Sequence, residues 1–201
     1  MNLSKREFLR AAGGAALVPV AAAAAAEPLS RPASAAYDSG ERYFTNAILT
    51  AHDGRKLRFF DDVLKDKLVV INMMYTTCSG ICPASTATVK AVQKALGSRV
   101  GRDIFFYSIS LRPEFDTPAA LRQYRERHDI TNSWTFLTGS GKDIDLIRRR
   151  LGFYDIDPAV DADLSQHTGM LRIGKVSANR WSMVPSATTS RQIVSSILGV
   201  A

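Results

Sequence analysis

Residues 67–75 read Lys-Leu-Val-Val-Ile-Asn-Met-Met-Tyr, an apolar run broken only at Asn72. A run of that length without alternation predicts a strand buried on both faces, as at the centre of a parallel sheet. Residues 104–111 repeat the pattern, and residues 134–137 (Trp-Thr-Phe-Leu) give a third central strand. Between these runs the apolar period becomes helical. Val89, Val92 and Leu96 share one face of a segment that opens at Pro83, which suits a first helical turn, and stops at Gly97. Thr117-Pro118 offers an N-cap and a first-turn proline to a second helix, with Leu121, Tyr124 and His128 along one side. Ile144, Ile147 and Leu151 define a third helix ended by Gly152, and residues 186–198 a last one with Ile193 and Ile197 inward.

Short strand candidates at residues 47–50 and 57–59 flank the His52-Asp53-Gly54 turn, while residues 167–173 and 180–184 bracket Gly174-Lys175 as an antiparallel pair. No internal repeat interrupts this order. The succession β-α-β-α-β-α-β-β-α predicts an α/β fold, a central mixed sheet flanked by helices with an N-terminal β-hairpin.

The start of the chain reads differently. Lys5, Arg6 and Arg10 open it against a single Glu7, residues 11–26 are rich in Ala and Gly, and Ala24-Ala25-Ala26 suits signal peptidase. Residues 1–26 therefore read as an export signal. The run Ser4-Lys5-Arg6-Glu7-Phe8-Leu9-Arg10 resembles a twin-arginine signal with Lys5 in place of the first Arg. A membrane anchor is the competing reading, but the stretch falls short of the roughly 20 strongly apolar residues of a span. Residues 27–42, with Pro28 and Pro32 among serines and alanines, read as a linker, and residues 43–201 as one domain. The chain is thus expected in the periplasm, with no span in its mature form.

Without residues 1–26 the formal charge falls from +7 to +5, a mildly basic domain and not a nucleic-acid protein. Arg148-Arg149-Arg150 lies on a helical pattern and reads as a solvated helix end.

Chemistry concentrates in one place. The only two cysteines form Cys78-Ser79-Gly80-Ile81-Cys82, followed at once by Pro83. A domain of this size needs no disulfide to fold, so an isolated close pair calls for a chemical explanation. Strand, thiol loop and helix in that order are how a thioredoxin-like fold presents two sulfurs. Three intervening residues instead of two shift the expected chemistry from thiol exchange toward binding a soft metal. Both sulfurs should sit near the positive end of the Pro83 helix, which favours thiolate. A structural disulfide or an inert pair remains the plain alternative.

Two sulfurs leave a copper ion under-coordinated, and the chain has three histidines. His52 reads as a surface turn residue, and His128 as a cap or core residue at a helix end. His167 opens a strand after the polar loop 161–166, where a thioredoxin-like fold brings a loop opposite the thiols. A thiol oxidoreductase of this fold usually carries a cis-proline there, yet none occurs between Pro158 and Pro185. Two thiolates and an imidazole suit copper in either oxidation state. Met73, Met74 and Met170 could offer thioethers but read as core.

From about Phe44 onward the chain resembles the Sco/SenC family of copper-binding thioredoxin-like proteins. The likeness rests on the CxxxC-Pro loop, on residues 110–118 (Ser-Leu-Arg-Pro-Glu-Phe-Asp-Thr-Pro), on residues 134–139 (Trp-Thr-Phe-Leu-Thr-Gly) and on the His167 segment. Ser79-Gly80 replaces a commoner Pro-Asp, Arg112 and Phe115 replace an Asp and an Arg, and Gln166 replaces an acid before the histidine. These changes remove carboxylates near the site.

The resemblance implies a copper ion, Cu+ or Cu2+, on Cys78, Cys82 and His167. It implies a metallochaperone, a carrier more than an enzyme, that helps assemble the copper centre of a respiratory oxidase or a related cuproenzyme. Its partners would be a client such as a cytochrome oxidase subunit, with another copper chaperone or a thiol reductase beside it. Cys78 and Cys82 would also serve as redox thiols. The alternative is a metal-independent thiol–disulfide oxidoreductase. A peroxidase of the peroxiredoxin kind lacks its Pro-x-x-x-Thr-x-x-Cys motif here, and a thioredoxin-like binding module is the remaining reading.

Overall fold

The computed structural model describes residues 40–131 and 133–201. The signal expected at residues 1–26 and most of the expected linker lie outside that range. Seven strands form one mixed sheet: β1 (Ile48–Ala51), β2 (Lys56–Arg58), β3 (Leu68–Met74), β4 (Ile104–Ser110), β5 (Trp134–Thr138), β6 (Met170–Lys175) and β7 (Arg180–Pro185). Their spatial order is β2-β1-β5-β4-β3-β6-β7. β3, β4 and β5 run parallel, and the other pairings are antiparallel. The unbroken apolar run of β3 has its cause in this order. All seven of its residues are buried, because layers of side chains cover both faces of the sheet.

The helices are α1 (Ile81–Leu96), α2 (Pro118–Arg127), α3 (Gly141–Leu151), the single turn α4 (Pro158–Asp161) and α5 (Ser190–Val200). Val89 and Val92 of α1, Leu121 and Tyr124 of α2, and Ile193 and Ile197 of α5 cover one face of the sheet. Ile144, Ile147 and Leu151 of α3 cover the other, with Phe59, Phe60, Val63 and Leu64 from a short π-helical segment, Phe59–Leu64. Capping follows the sequence. The Thr117 side chain accepts from Ala120 N at 3.2 Å, Ser140 caps α3 in the same way, and Gly152 ends α3 in the left-handed region at φ 85°. A buried chain of hydrogen bonds, Trp134 Nε1 to Ser108 Oγ (2.9 Å) and Ser108 Oγ to Asn72 Oδ1 (2.6 Å), links the three parallel strands. It supplies a partner for the one polar break in β3.

Two expectations need correction. His167 does not open a strand. It ends a 3-10 turn, Leu164–His167, and β6 begins three residues later. Arg148 is not a solvated helix-end residue: it is buried, while Arg149 beside it is half exposed. No helix among the described residues is long and apolar enough to cross a membrane.

Candidate metal centre

The parallel strand β3 ends at Met74 and delivers the chain to a loop at the carboxyl edge of the sheet, where α/β folds place their ligands. The loop is pinned from beside. Asp116, buried in the connection between β4 and α2, accepts from the Thr76 backbone N–H (3.1 Å), from the Thr76 hydroxyl (2.5 Å) and from the Ser110 hydroxyl (2.6 Å). A turn follows, with Cys78 N donating to Tyr75 O at 3.1 Å. Helix α1 starts at Ile81, so Cys82 lies within its first turn and Cys78 in the loop before it.

Both cysteines are free thiols, Cys82 buried and Cys78 partly exposed, with their side chains in hydrogen-bond contact. Their environments are unequal. Burial acts to raise the Cys78 thiol, but the Cys82 thiol, the Cys82 and Gly80 backbone N–H groups and the Tyr75 hydroxyl all stabilise its thiolate, and its pKa falls below the ordinary value. Burial, with the neighbouring Cys78 thiolate, pushes Cys82 up to about 12. The expectation that the helix terminus favours thiolate at both positions therefore holds for Cys78 alone. At Cys82 desolvation outweighs the dipole. The Tyr75 hydroxyl is in turn raised, by burial and by its bond to the Cys78 sulfur.

Arg112 adds a positive edge. Its guanidinium lies over the Tyr75 ring at 5.8 Å and the Phe115 ring at 4.6 Å, and Phe115 is exposed. A cation thus stands where the resemblance leads one to expect a carboxylate.

The segment after α4 does come up against the thiols. The Thr168 side chain is in hydrogen-bond contact with Cys82. Gly169 has φ +86°, and a Cβ there would sit 2.6 Å from Ile81 Cδ1, so this backbone is packed hard onto the first turn of α1. His167, the last residue of the 3-10 turn and just before Thr168, has its ring docked elsewhere. It is buried, with Nε2 at 2.8 Å from the Asp161 carbonyl oxygen and 3.1 Å from Arg148 Nη1. The structure thus brings Cys78 and Cys82 together and places the His167 backbone beside them, but it does not bring the imidazole to the sulfurs. No cage of three or more His, Cys, Asp or Glu side chains converges among the described residues. The donor chemistry fits a soft metal at the thiol pair, and His167 would reach it as a third ligand only if its side chain turned.

The other two histidines stay apart from the thiols. His52 is half-buried, with Nδ1 accepting from Phe136 N, and His128 caps α2 with its ring 4.3 Å from that of Tyr124. Met73 and Met74 are core, as read from the sequence, and Met170 is partly buried at the start of β6. Sequence reasoning missed Tyr75, Asp116 and Thr168 as residues that shape the thiol site. Asp116 lies in a quoted motif, but nothing in the motif says which loop it holds.

Fold and site define a thioredoxin-like domain with a dithiol at the start of a helix. A family model described as SCO1/SenC matches residues 39–201, and the chain belongs to that family. A curated relative, the SCO1 protein homolog of Bacillus subtilis (strain 168), is 31% identical over 88 residues, 43% of this chain. That match spans 44% of the relative, less than half its length. Among solved structures, a SCO1/SenC family lipoprotein of Bacillus anthracis is similar at TM-score 0.62 and 23% identity, over 78% of this chain and 94% of that one. ScoI of Bradyrhizobium japonicum, solved with copper bound, is similar at TM-score 0.60 and 22% identity, over 79% and 99%. At those identities the likeness shows the shared fold.

Proposed function

We propose that this chain is a copper-carrying metallochaperone that holds one copper ion on Cys78 and Cys82, with His167 as third ligand, and passes it to a cuproenzyme such as a respiratory oxidase. The carrying observation is the contact between a stabilised Cys78 thiolate and Cys82 at the first turn of α1. A thiolate is the form that binds a soft ion, and a second thiol in contact supplies a chelate partner once deprotonated. Family membership and the copper in the Bradyrhizobium relative support the choice of metal. Transfer is then ligand exchange, in which the partner's ligands displace the sulfurs one at a time. Residues 1–26 and the Bacillus anthracis relative's description as a lipoprotein support an exported, periplasmic location.

Copper titration of the reduced protein tests this directly. Stoichiometric binding with an intense sulfur-to-Cu(II) absorption is expected, and its loss in a Cys78→Ser, Cys82→Ser double variant. Binding that survives the double change refutes the assignment.

A second reading, thiol–disulfide exchange with a partner, draws on one specific observation. The lowered Cys78 and the raised Cys82 are the asymmetry of an attacking and a resolving thiol.

A further inference from the structure

His167 is docked on an ion pair that the carrier reading does not use. Arg148 in the last turns of α3 donates to Asp161 through two bonds, Nη1 to Oδ1 at 2.6 Å and Nη2 to Oδ2 at 3.0 Å. The same guanidinium donates to the Phe153 carbonyl at 2.9 Å and to Asp145 at 2.7 Å. The Asp161 carboxylate also accepts from Arg149 Nη2 (2.8 Å) and from the Asp155 backbone N–H (3.0 Å). Arg148, Asp161 and His167 are 5%, 7% and 4% exposed, so the fork is buried and multiply tied. It joins the end of α3, the loop after it, α4 and the 3-10 turn into one unit.

Against this unit His167 Nε2 meets an acceptor, the Asp161 carbonyl, and a donor, Arg148 Nη1. Phe153 and Asp161 already take both Nη1 hydrogens, so the ring docks as an Nε2–H donor to the Asp161 carbonyl, with the guanidinium packed beside it. The turn that carries the ring is held more lightly. Its side-chain ties are the exposed bonds of Ser165 and Gln166 to Asp163 and the part-buried bond of the Thr168 hydroxyl to the Ser165 carbonyl.

We propose that the Arg148–Asp161 pair is a positioning latch for His167, which parks the imidazole away from Cys78 and Cys82 until it is released to complete a copper site. The inference rests on the ligand set proposed above. A latch of this kind lowers the apparent copper affinity by the fraction of molecules in which the ring is free. It also makes delivery easier, because the ring has a prepared place to return to as copper leaves.

The test is a cycle of variants read by copper competition against a chelator and by nitrogen-15 NMR of the histidine rings. Arg148→Met with Asp161→Asn removes both charges together and strands neither. Arg148→Lys is a milder second variant. In copper-free protein both should shift the His167 ring signals, and the paired variant should bind copper up to about tenfold more tightly, because the Asp161 carbonyl loses the ion pair that fixes its place and the one hydrogen bond it accepts from the ring weakens. That gain should vanish when His167→Ala is added. A gain that persists without His167, or an unchanged affinity despite shifted ring signals, overturns the latch. If the paired variant fails to fold, wild-type protein titrated with Cu(I) decides: the Arg148 Nε–H and Asp155 amide signals should move together with His167, and signals that stay in place overturn the proposal. Wild-type affinity indifferent to His167→Ala overturns the ligand set and the latch together. A His167-dependent affinity that the paired variant leaves unchanged overturns the latch alone.

Discussion

Asp116 holds Thr76 by both its backbone N–H and its hydroxyl, at 3.1 and 2.5 Å, across 40 residues of chain. This contact fastens the loop that carries Cys78 to the connection after β4. The same carboxylate takes the Ser110 hydroxyl, so its removal strands three donors. Unpaired donors at part-buried and buried sites cost roughly 1–3 kcal/mol each, less where water can enter. Asp116→Ala should destabilise the protein by about 3 kcal/mol in denaturant titration and broaden the NMR signals of residues 76–79. A change under 1 kcal/mol would show that the loop is held by something else.

The two thiols should react in strict order. Cys78 has a lowered pKa and is partly exposed, whereas Cys82 is buried with a pKa of about 12. Limited iodoacetamide at neutral pH, followed by peptide mapping, should label Cys78 and leave Cys82 unmodified. The stability linkage has a sign. Cys82, raised in the folded state, contributes stability that is complete below the ordinary thiol range and is lost as pH rises from there toward about 12. Cys78, lowered, contributes above the ordinary range and loses its share as pH falls through its depressed value. Between pH 8 and 11, Cys82→Ala should therefore lose less stability than wild type. Equal losses would contradict the asymmetry.

Much of the frame could be read from the chain. The runs at 67–75 and 104–111 are continuous because two apolar layers enclose them, and burial on both faces leaves that mark in any sequence. The thiol loop was legible for the same reason, since it follows the end of such a run. The latch was not, although one signal existed. Ile144, Ile147, Arg148 and Leu151 have the i, i+3, i+4, i+7 spacing of a single buried face, so Arg148 occupies a core position of α3. A charge at a core position implies a partner, but nothing local points to Asp161, 13 residues on in a one-turn helix. The direction of His167 depends on that partner, and so the imidazole was expected at the thiols. The π-helical segment Phe59–Leu64 escaped although Phe59, Phe60, Val63 and Leu64 share one helical face, because six residues with no side-chain cap are too short to mark a helix.

Gly169 supports the approach of the His167 segment to the thiols through its backbone. Any other residue at φ +86° is strained, by about 1–3 kcal/mol. The clash of a new Cβ with Ile81 Cδ1 involves the end of a flexible side chain, which can rotate aside. Gly169→Ala should therefore cost about 1–2 kcal/mol, chiefly from the dihedral angle. It should also disturb the contact between Thr168 and Cys82, so Cys82 should become more reactive toward iodoacetamide. Destabilisation without any change at Cys82 would place the strain elsewhere.

His167→Ala separates copper delivery from thiol exchange, provided its structural cost is counted. The ring is buried and hydrogen-bonded, so truncation should lower stability by about 1–3 kcal/mol whether or not it ligates metal. Stability alone thus says nothing about ligation, and the cellular assay must be corrected for protein level by immunoblot. In a strain lacking the protein, the variant at matched abundance should fail to restore oxidase activity if copper transfer is the task, and added copper should partly rescue the deletion. Thiol exchange uses only Cys78 and Cys82, since His167 is neither the attacking nor the resolving sulfur. Under that reading the variant restores activity and added copper does not. Full restoration by His167→Ala alongside failure of Cys78→Ser would therefore exclude the chaperone in favour of the reductase.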